Sequence, residues 1–203
     1  MTLTTTNIPA PPKYVKSNLE QLKSAPDAPS VQYLNLLQAL SPECTLGHER
    51  EIPGAKAGLF CLTGTKDICR TVDVVVLQVM DLFKEWVNRD KGGGLRATYL
   101  TAEEAERNCE AGNQIDKSTD FICTLVGVDD QMVDDQPLII SCNRSKLSTA
   151  KQWKAMLIAT QNVVAAKWQL TSMVVQGKKG TYFNIASPVF LGYNSKAELS
   201  RYT

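Results

Sequence analysis

At 203 residues, with 43% hydrophobic and 21% charged side chains, the chain has the composition of a soluble globular protein with one well-buried core. No apolar run approaches the roughly 20 residues of a membrane span, and six scattered cysteines without a C-x-x-C pair argue for reduced, buried thiols rather than a disulfide framework. The net charge of +1 hides a division: residues 1–100 sum to +1, residues 101–135 to −8 and residues 136–203 to +8.

The first 30 residues carry Pro9, Pro11, Pro12, Pro26 and Pro29, which predicts a flexible arm, with order beginning near Val31. The Thr- and Pro-rich start lacks the basic beginning and apolar centre of a secretory signal, so a cytoplasmic protein is expected. Residues 31–40 suit a short helix or strand ended by Ser41 and Pro42. Pro53, Gly54 and Gly58 predict a turn into a strand near 59–62. Residues 69–87 hold Val72, Val74, Val75, Val76 and Val79, a β-branched composition that predicts a long strand with a bulge or bend near Asp81. Thr101, followed three residues later by Glu104, forms a capping box for a helix over 101–108. Two strands follow at 121–128 and 137–142, joined by an acidic turn. Leu147, Ala150, Trp153 and Leu157 mark one apolar face of a helix over 145–160. A strand over 167–176, a turn at 177–180 and a strand over 181–185 close the order.

Strands outnumber helices and no strand–helix alternation occurs, so the expected fold is mainly β with inserted helices, either a small barrel or a strongly curved antiparallel sheet. The expected domain spans 31–190, with a C-terminal tail over 191–203. Catalytic signatures are missing: there is no Walker loop, no dinucleotide fingerprint and no nucleophile elbow, and His48 is the single histidine. The pairs Asp129, Asp130 and Asp134, Asp135 read as a solvated turn before they read as a metal-dependent nuclease. The expectation is a binding protein, not an enzyme, without metal or cofactor.

Three basic clusters indicate what it binds. In residues 84–96, Lys84, Arg89, Lys91 and Arg96 surround Trp86 beside Gly92, Gly93 and Gly94. A second cluster is Arg144, Lys146, Lys151 and Lys154. The third is Lys178 and Lys179 with Tyr182 and Phe183, of which alternation along a strand sends only one ring into a single-faced core. Cations for phosphates and aromatic faces for bases are the parts that single-stranded nucleic acid requires. A flexible basic loop around Trp86 facing the Lys178 hairpin would then form the two walls of a groove.

The ordered set LNLLQALSPE (34–43), IPGAKAGLF (52–60), EWVNRDKGGG (85–94) and GTYFNIASP (180–188) resembles a family of tailed-phage early proteins related to phage single-stranded-DNA-binding proteins. The resemblance implies a five-stranded oligonucleotide-binding (OB-fold) barrel and largely sequence-independent binding of single-stranded DNA. It also implies a place in phage replication or recombination in the host cytoplasm, with replication or recombination proteins as further partners. Homo-oligomerisation is compatible with this reading and no membrane is involved. Two features depart from the family pattern: Val87 and Asn88 stand where Lys-Pro often follows the tryptophan, and the chain ends AELSRYT rather than in an acidic tail. The alternative is a phage module that inhibits a host enzyme or defence through the acidic 101–135 stretch.

Overall fold

The computed structural model describes residues 8–15, 32–178 and 180–202; the side chain of Arg89 and all of Lys179 lie outside the described residues, as does most of the predicted arm. In chain order the elements are β1 (Gln32–Leu36), β2 (Phe60–Leu62), β3 (Ile68–Cys69), β4 (Val72–Trp86), β5 (Leu95–Tyr99), α1 (Ala102–Asn108) and β6 (Gln114–Val128). Then come β7 (Gln131–Asn143), α2 (Leu147–Ala159), β8 (Ala166–Leu170), β9 (Ser172–Gly177), β10 (Gly180–Ile185), β11 (Val189–Tyr193) and α3 (Lys196–Leu199).

Nine strands form one sheet in the order β11-β8-β4-β6-β7-β1-β2-β3, with β5 paired to β4, while β9 and β10 form a separate hairpin. The mainly β expectation holds, and the sheet curls strongly into a half-barrel. The strand count exceeds the five expected of the barrel. The extra length comes from β4 and β6, each 15 residues long and paired along their whole extent. The bend predicted near Asp81 is placed differently. Register shifts occur at Asp73/Val74 and Val76/Gln78 in β4 and at Leu125/Gly127 in β6. Each extra residue increases local twist, which curls the sheet. Asp81 itself stays in register, opposite Thr119.

One face of the sheet is the core. Val74, Val76 and Val79 of β4, Phe121 and Cys123 of β6 and Leu138 and Ile140 of β7 are all buried beneath α2. Trp153 of α2 stacks on Phe121 with ring centroids 4.2 Å apart, and Trp168 of β8 meets Trp153 edge-on at 6.5 Å. The predicted apolar face of α2 is therefore real, with Ala150, Trp153 and Leu157 buried. The predicted strand over 167–176 breaks at Thr171, because β8 stays in the main sheet and β9 leaves it for the hairpin. Phe183 of β10 packs inward on the core. Its backbone and carbonyl are clasped by the Gln38 amide, at 2.9 and 3.0 Å. Residues 191–203 are not a separate tail over their described length. β11 pairs with β8, Leu199 is buried, and the Tyr193 hydroxyl donates to the Pro9 carbonyl at 2.6 Å.

Alternation along β6 turns Gln114, Asp116, Ser118 and Asp120 to the face opposite Phe121. Register places Trp86, Lys84, Leu82 and Met80 across from them on β4, and Asn143 and Ser141 beside Ser118 and Asp120 on β7. This polar strip runs to the sheet end where β4 enters the glycine-rich loop.

Candidate nucleic-acid interface

Four of the eight predicted cations whose side chains are described are already engaged in ion pairs within the protein. Lys84 is 4% exposed and its ammonium donates to Asp120 at 2.7 Å and to the Ser141 hydroxyl at 2.8 Å. It ties β4 to β6 and β7 and does not face solvent. Arg96 pairs with the buried Glu85 at 3.0 Å and with Glu110. Arg144 pairs with Asp116 at 2.7 Å, and Lys154 with Asp81 at 2.8 Å. Lys146 is half-buried, and burial pushes its pKa down. Lys91, Lys151 and Lys178 are exposed and form no ion pair among the described residues.

The aromatic residues divide as alternation requires. Phe183 turns into the fold, while the half-buried Tyr182 lies across Gly177 on the neighbouring strand, its ring 3.0 Å from where a Cβ there would sit. The hairpin tip borders its own shallow pocket, lined by Lys178, Thr181 and Tyr182 among others, which shares no residue with the cavity at Trp86. The predicted groove between the tryptophan loop and the Lys178 hairpin is therefore not a single cavity.

What the structure does bring together is Trp86 and Arg144. Both line an open cavity of about 630 Å³ at the end of the polar strip, with Gln114, Asp116 and Asn143 as neighbouring walls and the 87–94 loop as a rim. The loop is closed by the Val87 amide donating to the Gly94 carbonyl at 2.9 Å. Gly92 and Gly94 adopt φ of +102° and +103°, which residues with a Cβ rarely adopt. Trp86 is half-buried, and its indole Nε1 has no hydrogen-bond partner among the described residues. Arg144 holds a left-handed backbone, φ +48°, where the chain leaves β7 for α2. Gln114, Asp116 and Asn143 are not among the site residues the sequence predicts. The signal for them was the alternation of polar residues at 114, 116, 118 and 120, hidden because it interrupts the apolar run of β6.

The acidic 101–135 stretch does not form one surface. Glu103, Glu104, Glu106 and Glu110 lie on and just after α1, before β6, while Asp129, Asp130, Asp134 and Asp135 lie after it. The 15 residues of β6, roughly 45 Å of strand, separate the α1 group from the Asp129–Asp130 turn, and Asp134 and Asp135 lie just beyond that turn where β7 starts back along β6. Asp129 and Asp130 form the two-residue β6–β7 turn with φ of 46° and 65°, and one Asp129 carboxylate oxygen accepts from the backbone amides of Arg70 and Thr71, both at 2.8 Å. Among the described residues no cluster of His, Cys, Asp and Glu could hold a metal ion, and no helix is long and apolar enough to cross a membrane.

The family described as Pam3 phage gp34-like protein matches residues 26–198. No curated protein matches the chain, and no solved structure matches it. The match covers most of the sequence, so the chain belongs to the Pam3 phage gp34-like protein family.

Proposed function

We propose that this member of the Pam3 phage gp34-like family binds single-stranded DNA with little sequence preference, in phage replication or recombination within the host cytoplasm. The observation that carries the reading is the cavity that joins Trp86 to Arg144. It combines an aromatic face, a guanidinium and a glycine-rich rim, the elements by which single strands are held. A curved β-surface with binding loops at its end is also how oligonucleotide-binding barrels present their sites. Exposed Lys91, Lys151 and Lys178 supply cations for phosphates. Duplex DNA keeps its bases stacked and paired, so it offers no free base face to the cavity.

The test is a titration with a long single-stranded oligonucleotide and with the matching duplex over a range of salt. The single strand binds at low salt, more tightly than the duplex, and binding weakens as salt rises. Failure of a long oligonucleotide to bind at low salt overturns the proposal.

A further inference from the structure

We infer that the Trp86 cavity is a pocket for one unstacked nucleobase, held flat between the Trp86 indole and the Arg144 guanidinium, with the attached phosphate left outside at the rim. The inference rests on the single-strand reading above and assigns it a ligand and a site.

Charge decides between base and phosphate. The ionisable side chains lining the cavity are Asp90, Asp116 and Arg144, so two carboxylates face one guanidinium. A phosphate entering there would meet net negative charge, whereas a neutral base is not repelled. The phosphate is better served by Lys91, whose ammonium nitrogen lies 3.6 Å from where a Cβ on the cavity-lining Gly112 would stand.

The guanidinium is also built to present a flat face. Nε and Nη2 of Arg144 both lie 2.7 Å from one oxygen of Asp116. The other oxygen of Asp116 accepts from Gln114 at 3.0 Å. These bonds run in the plane of the guanidinium and fix its orientation while leaving its faces open, and the side chain remains 55% exposed. Unstacked bases pack on such planes as they do on aromatic rings. The left-handed backbone of Arg144, φ +48°, is a strained conformation that persists only where surrounding structure imposes it.

Trp86 brings an aromatic ring to the same cavity. The other two tryptophans, Trp153 and Trp168, are 1% and 0% exposed and committed to the aromatic stack of the core. The cavity volume falls within the range of roughly 300–1,000 Å³ typical of small-molecule sites, and Asn88 and Asn143 offer amides at its margin for the edge of a base.

Because Trp153 and Trp168 are sealed in the core, ligand quenching of tryptophan fluorescence reports on Trp86. Thymidine and deoxyguanosine monophosphates are titrated into the full chain, with inorganic phosphate as the control, and a long oligothymidylate is titrated in parallel. Both mononucleotides quench saturably and phosphate does not. W86F keeps the melting temperature and loses the quench. R144G suits the left-handed backbone but leaves Asp116 without its cation, so its binding is read on protein whose melt shows it folded; it weakens oligonucleotide binding by roughly 5- to 150-fold, the worth of one stacked base. R144K keeps the charge but not the plane, and it weakens binding as R144G does. Full retention of affinity by R144K, or absence of mononucleotide quenching, overturns the base pocket. If the oligonucleotide binds wild type, W86A and R144G equally, the pocket is refuted while single-strand binding stands. If the oligonucleotide does not bind wild type at all, the functional reading beneath it fails as well.

Discussion

Lys84 and Glu85 are neighbours on β4 whose side chains point to opposite faces of the sheet, and each is a buried charge. Lys84 answers Asp120 on the polar side. Removing one member of a buried pair strands the other, at a cost of about 3–5 kcal/mol. K84A is therefore expected to lower stability by that amount in urea unfolding, while its folded fraction still shows nucleotide quenching of Trp86. On the core side, the Glu85 carboxylate accepts from the Asn113 amide, the Tyr99 hydroxyl, the Glu110 backbone amide and Arg96. These bonds outweigh burial and hold its pKa at about 2, below the ordinary 4.5. The folded value lies below the unfolded one, so the stability Glu85 contributes is present above about pH 4.5 and is lost as pH falls towards about 2. Melting temperature followed across that window should fall less steeply in E85Q than in wild type.

Among the elements, the β9–β10 hairpin depends on a residue far from it in sequence. Gly58 has φ +91°, and a Cβ there would come within 2.5 Å of the Phe183 ring. G58A must displace Phe183 and with it the inward side of the hairpin. A loss of at least about 1–3 kcal/mol is expected, together with faster proteolysis near Lys178. The elements differ in how readable they were. β4 and α2 were legible because β-branched composition and a three-to-four spacing are local signals. The first half of β6 was not, since Asp116, Ser118 and Asp120 interrupt its apolar pattern in order to face the polar strip. The parallel pairing of β1 with β7 has no local signature at all. The candidate site was half legible. The sequence marks both Trp86 and Arg144, but in separate clusters, and only the fold joins them. Nor could the sequence show which cations were spoken for: Lys84 and Asp120 are 36 residues apart, Arg144 and Asp116 28, and Lys154 and Asp81 73.

For the whole molecule, the division of charge along the chain is partly cancelled by folding. Arg144 with Asp116 and Arg201 with Asp135 each join the basic C-terminal third to the acidic stretch before it. The surface offered to a polyanion is correspondingly modest. With Lys91, Lys151 and Lys178 as the exposed, unpaired cations among the predicted site residues described, a slope near −2 is expected for log affinity against log salt, at about −0.7 per phosphate contacted. A slope steeper than about −4 would mean that cations beyond these three reach the phosphates. The turn at Asp129 and Asp130 has a consequence for how this molecule reaches its fold. It joins the two longest consecutive strands through two residues, so β6 and β7 can zip with almost no loop-closure entropy, whereas β4 must find β6 across β5 and α1. On these grounds the hairpin is expected to nucleate folding. Asp130 holds φ +65° there, a conformation glycine adopts freely. D130G should therefore speed refolding in a stopped-flow chevron and leave the unfolding limb nearly unchanged.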